Sequence, residues 1–347
     1  MQESVSMPVP GYWSDKGLAS RNYGAYHLRI ISTRHEGLGL LLPDVYSAYR
    51  CYANGRLLAS KGKPARSREQ ARPFRLVQVV PIPTLQSDTL TISIEVSNYR
   101  HSKGGFAAPP LIGQYAILHR EQFLSKSFDL FLAGSLLMGF FFFLGMYLFG
   151  HHDRRVLYFS LFCICFAYRN VGWGNFVLNE LISWLPWELT IRLEYATFYL
   201  SAFFFAQYVR LQFPVESPKL LVRLFSRISL LWAILSVILP AYLFTQINTP
   251  YLIFLVAGIV LTGFIFVRAQ LNKRQGALYS ILSTVGIFAV FAIKTLHYLG
   301  VIEEPLLFTM LGQVVFFFFQ ALIFSEYFSQ GWRLAKEKAE AAAEAKT

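Results

Sequence analysis

Seven stretches of this chain are longer and more apolar than a soluble core can cover: residues 128–149, 156–177, 191–210, 224–244, 251–267, 278–299 and 306–328. Each runs for about 20 residues, the length a helix needs to cross about 30 Å of hydrocarbon. Helices are required there, because lipid offers no water to satisfy an open backbone. None of the 15 prolines interrupts a run; they fall before the first one, in connections, or at run ends such as Pro240, Pro250 and Pro305. Charge changes at the same boundary. Residues 1–127 hold 16 Lys and Arg against 8 Asp and Glu, whereas the 16 and 12 that remain lie mostly between the apolar runs. A water-exposed domain before residue 128 is expected to give way to a lipid-embedded bundle after it.

Orientation follows from the connections, since cytoplasmic loops are enriched in Lys and Arg. The first, third and fifth carry Arg154, Arg155, Arg210, Lys219, Arg223, Arg227, Arg268, Lys273 and Arg274. The second has Arg192, and the fourth and sixth have none. The amino terminus is therefore expected outside and the carboxyl terminus inside. A basic outer domain needs export, yet "MQESVSMPVPGYW" contains no apolar leader, so Met1 is read as the start of a mature or trimmed chain. Cys51 is alone outside, and Cys163 and Cys165 lie in the second run; all three are read as small apolar residues with no disulfide.

Residues 1–122 read as strands. "AYHLRIIS" and "DTLTISIEVSN" alternate apolar with polar residues, and Asn54-Gly55, Ser87-Asp88 and Lys103-Gly104-Gly105 supply turns. An antiparallel sandwich is the economical fold. "VPGYW", "GAYHLR", "SAYRCYANGRLLASKG" and "IEVSNYRHSKGG" resemble, in order, the jelly-roll sugar-binding module of family 2 glycoside hydrolases. The resemblance implies a carbohydrate ligand without locating its site; by residue type, Trp13, Tyr23, Tyr26, Arg29, Tyr49, Asn98, Tyr99 and His101 are the candidates for a polar and aromatic platform. Aromatic residues of a small sandwich also serve as core, and both readings stay open here. The positive excess suits an acidic glycan, lipid head groups, a periplasmic polyanion or a solubilising surface; nucleic acid is disfavoured by location, not by charge. No spaced carboxylate pair in a glycosidase pattern appears, so no enzymatic activity and no cofactor are expected.

The segment "GMYLFGHHDRRVLYFSLFCICFAYRN", 145–170, narrows the membrane part. It resembles the first hairpin of the bacterial seven-transmembrane receptors with diverse intracellular signalling modules, whose members often carry a jelly-roll outer domain. The resemblance implies a sensory receptor in a bacterial inner membrane. The expected fold is thus an all-β jelly-roll sandwich over 1–122, a seven-helix transmembrane α bundle over 128–328, and a cytoplasmic signalling helix over 329–347. Ionisable residues in lipid are costly and belong in the bundle interior, which singles out Arg169, Glu194, Lys294 and His297. Arg169–Glu194 and Lys294–Glu194 are the pairs that depth allows. Snorkelling to the interface is the structural alternative. A transporter with a periplasmic carbohydrate-binding domain is the other functional class, but it calls for interrupted helices in matching halves.

The last run continues without proline into "SQGWRLAKEKAEAAAEAKT". Phe328, Trp332, Ala335 and Ala339 follow the 4, 3, 4 spacing of a coiled-coil seam, and Ala, Glu and Lys favour helix. The resemblance implies a dimer whose helix hands a signal to an output domain: a histidine kinase, a nucleotide cyclase or a phosphatase.

Overall fold

The structure, a computed structural model, describes residues 6–106, 108–150, 152–298 and 306–344. It divides into two compact units, residues 1–205 with 226–252, and residues 206–225 with 253–347.

Among the described residues, the first unit opens with ten strands of two to ten residues. A four-stranded antiparallel sheet has the order β2 (Asn22–Ile31), β8 (Thr89–Asn98), β5 (Ala48–Ala53), β6 (Arg56–Lys61). A three-stranded sheet has the order β10 (Leu111–Gln114), β3 (Leu38–Leu42), β7 (Gln78–Pro81). The short β1 (Gly11–Tyr12), β9 (Gly105–Phe106) and β4 (Val45–Tyr46) form a third. Alternation does its expected work in β8: Leu90, Ile92, Ile94 and Val96 are buried, while Thr91, Ser93 and Glu95 turn away. They pack with Leu40, Leu42, Tyr49, Cys51, Trp13 and Phe106. Asn54 and Gly55 join β5 to β6 with φ of 47° and 79°, the left-handed pair a two-residue hairpin needs. The three cysteines are free and buried.

The second apolar run continues past Gly172, where its helix ends, to the start of a short helix, and the fourth passes from one helix through Leu239 and Pro240 into another. Each of the seven has most of its length on a different long helix. In the first unit these are α1 (Tyr115–Phe149), α2 (Arg154–Gly172) and most of α4 (Trp187–Gln212) and α5 (Lys219–Ile238), with the short α3 (Val177–Leu181) and α6 (Ala241–Gln246) between them. Helix α1 starts well before residue 128, so it runs from the β region into the apolar segment without a break. Its amide Gln122 completes the edge of the second sheet, donating to the Val77 carbonyl at 2.8 Å and accepting from the Val79 amide at 3.1 Å.

The second unit holds the end of α4, the start of α5, most of α7 (Asn248–Leu271), α8 (Ala277–Tyr298) and α9 (Leu306–Glu344). Pro250 lies in the first turn of α7, where its missing N–H costs no intrahelical bond. A buried chain of hydrogen bonds joins three helices: Tyr208 Oη donates to Gln320 Oε1 at 2.9 Å, and Gln320 Nε2 donates to Ser283 Oγ at 2.9 Å. At the helix ends, Glu216 accepts from Arg274 Nε at 2.6 Å and from Asn272 Nδ2 at 3.1 Å.

By length and composition, α1, α5, α7 and the 307–326 part of α9 are able to cross a membrane. Helices α2 and α4 are less apolar because they carry Arg169, Glu194 and several buried polar groups.

Candidate functional site

The least ordinary place in the first unit is where the β region meets the helices. Arg75 lies in the connection between β6 and β7 and is only 5% exposed, although a charge there forfeits its hydration. Three oxygens compensate it. Its Nε donates to both carboxylate oxygens of Asp44, at 3.1 and 3.0 Å, and its Nη1 donates to Glu194 Oε2 at 2.6 Å. Asp44 sits between β3 and β4, whereas Glu194 is on α4 and is 8% exposed. One guanidinium thus bridges a carboxylate of the β region and a carboxylate of a long helix.

The surroundings hold that guanidinium in place. It lies over the ring of Phe176 at 4.3 Å and over Tyr46 at 5.3 Å, which adds cation–π attraction in a dry site. Its main-chain carbonyl accepts from Asn179 Nδ2 of α3 at 3.0 Å. Burial works against the charge of Arg75, but Asp44 and Glu194 together outweigh it and hold the group well above the usual arginine range. His101 stacks with the Tyr46 ring at a centroid distance of 4.2 Å. His101 Nδ1 lies 3.0 Å from the Lys103 amide and 3.3 Å from the Lys103 carbonyl, and the buried Nε2 has no hydrogen-bond partner among the described residues. Burial, and then the charge of Arg75, push His101 well below the ordinary histidine range, so it is neutral.

Further contacts fasten the same two layers. Arg100 pairs with Glu188 of α4 at 2.7 Å, the Ser102 amide donates to Thr245 Oγ1 of α6 at 3.1 Å, and Arg21 covers the Tyr242 ring at 4.2 Å.

Glu194 was legible as a buried charge; the cation it meets at 2.6 Å is Arg75 of the outer part, and Arg169 acts on the same carboxylate through its charge. Arg169 also faces the rings of Phe198, at 4.6 Å, and Trp173, at 5.4 Å. Lys294 and His297 fall on α8, and Trp332, Ala335 and Ala339 on α9, but their side chains lie outside the described residues. Phe328 is half-buried.

The candidate sugar platform is scattered. Trp13 is buried and donates from Nε1 to Tyr26 Oη at 2.7 Å, and Tyr26 meets Phe106 edge-on. Tyr49 is buried, accepting at Oη from Gln78 at 2.8 Å. Asn98 is fully buried and organises a loop, donating to the Ser20, His101 and Lys103 carbonyls. The half-buried Tyr99 donates from Oη to the Ala65 carbonyl at 3.2 Å. Arg29 is exposed. Register places it with Tyr23 and His27 of β2, Glu95 of β8, and Arg50 and Tyr52 of β5 on the open face of the four-stranded sheet. Arg66 covers the Tyr23 ring at 5.6 Å. The polar and aromatic face exists, but on the other side of the sheet from most of the residues the sequence suggested. In the second unit, a cavity of about 450 Å³ between α7 and α8 is lined mostly by apolar side chains such as Val267, Val285 and Phe288, and the hydroxyl of Thr284 in its wall is already donated to the Ser280 carbonyl at 2.8 Å.

The membrane part decides the family. The model described as 7TM diverse intracellular signalling matches residues 125–329, more than half of the chain. This chain belongs to that family. It is a membrane protein with a sensory receptor role, joined through its family to intracellular signalling modules. No curated protein and no solved structure matches it.

Proposed function

We propose that the protein is a receptor core that reads a carbohydrate or acidic glycan outside a bacterial inner membrane and passes the signal inward. In this reading residues 1–122 form a jelly-roll ligand-binding domain, all seven long helices of 128–328 span the membrane with the amino terminus outside, and 329–347 begin a dimeric signalling helix. The output is a histidine kinase, a nucleotide cyclase or a phosphatase. The observation that carries the reading is the Arg75 bridge between Asp44 and Glu194, because it makes the sandwich and a bundle helix share one buried charge. Ligand acts by population shift: it must bind one arrangement of sandwich and helix better than the other. The open sheet face, with Tyr23, His27, Arg29, Arg50 and Tyr52, supplies aromatic surface and cations suited to an acidic sugar.

The test uses the full chain in vesicles and a panel of neutral and acidic glycans. Binding that is lost in a Tyr23→Ala and Tyr52→Ala double variant, with Tyr26 untouched, supports the open face as the platform. A blank panel overturns the glycan, and gradient-dependent uptake of any glycan overturns the receptor in favour of a transporter.

A further inference from the structure

A second site lies a few residues from the Arg75 bridge. The part of α1 that precedes its apolar segment walls a cleft of about 300 Å³, facing the β region on one side and α3 on the other. Tyr115, His119, Gln122 and Lys126 line it at spacings of 4, 3 and 4, so one helix face builds the wall. Lys61 and Glu180 line it from the opposite elements.

Two lysines therefore face one carboxylate. Lys126 Nζ meets Glu180 Oε2 at 2.6 Å, with the Lys126 side chain 18% exposed and that of Glu180 48% exposed. Lys61 has only the Phe74 ring, at 6.0 Å, and no carboxylate within ion-pair distance among the described residues. The Tyr115 hydroxyl and the His119 imidazole make no hydrogen bond among the described residues; their rings touch each other at 5.4 Å. The cleft thus gathers ammonium, imidazole and hydroxyl groups around an unbalanced positive charge. Its height is marked by Phe123 and Leu124, which are 62% and 47% exposed on the adjoining faces of α1 and need an apolar surrounding.

We propose that this cleft binds a phosphate ester, from a membrane lipid headgroup or a soluble phosphorylated molecule, and that Glu180 holds the place of the anion on Lys126. An entering phosphate takes Lys126 from Glu180 and recruits Lys61, giving two charge-assisted contacts where there was one. Glu180 is adjacent to Asn179, whose amide holds the Arg75 carbonyl, so occupancy is felt one residue from the bridge.

The experiment compares the purified full chain with three variants, using two probes. Phosphatidylglycerol retained in detergent is counted by native mass spectrometry, and glycerol phosphate is titrated by calorimetry. Lys61→Gln with Lys126→Gln weakens binding of the active probe by at least about tenfold. Glu180→Gln tightens it about twofold to fivefold, the worth of a partly exposed competing ion pair. Lys336→Gln, on the exposed tail, changes nothing. Retention of the lipid alone identifies a headgroup, and binding of glycerol phosphate alone identifies a soluble ester; either supports the site. Failure of both probes overturns it, as does a double variant that binds like the parent. Should the double variant aggregate, Glu180→Gln decides, since a purely structural Lys126–Glu180 pair predicts no tightening.

Discussion

Arg75 forms ion pairs with two carboxylates, whereas Glu194 has one cation at ion-pair distance among the described residues, and that asymmetry sets the order of mutational costs. Glu194→Gln leaves Arg75 bound to Asp44, so it should cost about 1–3 kcal/mol, the penalty of a degraded buried hydrogen bond to a charge. Arg75→Gln leaves the buried Glu194 and the half-buried Asp44 without this cation and should cost about 3–5 kcal/mol. Adding Glu194→Gln to Arg75→Gln should then recover part of the loss; strictly additive melting shifts of the purified chain in one detergent would sink the bridge. His101 gives a second readout at this scale. Its folded pKa lies below the value near 6.5 of an unfolded chain. The unfolded state therefore takes up the proton first as pH falls, so the contribution of His101 is complete above about pH 6.5 and is lost below it, by up to about 1.4 kcal/mol per pH unit. Tyr46, Arg75 and Lys103 surround the ring, and two of them are cations that sharpen this loss. Stability measured from pH 8 to 5 should decline less steeply in His101→Gln than in the parent; parallel curves would remove His101 as the cause. At this scale half of the bridge was readable. A glutamate inside an apolar run stands out, whereas Arg75 is one of 16 basic residues in the outer part. Its only signal is local: "PFRLV" and "LLPDVY" each hold a lone charge in apolar company, which in a sandwich means a charge pulled toward the core.

At the scale of elements, the helices α8 and α9 meet at a pair of glycines. A Cβ on Gly312 would stand 2.4 Å from Val290 Cγ2 and 2.9 Å from the Gly286 carbonyl, so the two backbones approach closer than any side chain permits. Gly312→Ala should force them apart at a cost of about 1–3 kcal/mol. Gly331→Ala, farther along α9 with nothing within 4 Å of the new methyl, should be neutral or mildly stabilising. Equal melting temperatures for the two variants would show that the helices do not depend on this contact. Apolar length located every long helix, because the demand of hydrocarbon for about 20 residues leaves little freedom. It located their ends poorly. "YAILHREQFLSKS", which opens α1, mixes polar and apolar side chains and gives no apolar run, yet its 4, 3, 4 face packs on β3 and β7. Tertiary packing makes that segment helical, and only a search for helical period would have found it. Burial in the sandwich misled in the opposite direction: Trp13, Tyr49 and Asn98 look like binding groups by residue type, and are interior because a small domain spends its large aromatics on its core.

For the whole molecule, the decisive feature is that α9 is one uninterrupted helix of 39 residues, about 58 Å at 1.5 Å per residue. Its 307–326 part is apolar enough to cross a membrane, and the remainder is rich in Ala, Glu and Lys. A continuous helix transmits rotation or translation from its apolar end to its polar end, since no Pro or loop lies between to absorb the motion. If two chains meet along the seam, single cysteines at Phe328, Trp332 and Ala335 should crosslink faster than cysteines at Gln330 and Lys336. Contact should vanish in a peptide of 326–347 alone, because a helix of that length is marginal in water. A cyclase or kinase domain fused after Thr347 should then give output that depends on the number of residues inserted before it. One to six inserted residues should change the output, and seven should restore it, because a heptad returns the seam to the same face. Crosslinking that is uniform around the helix, together with output indifferent to insertion length, would reduce the polar end of α9 to a tether and leave the signal without a mechanical route along it.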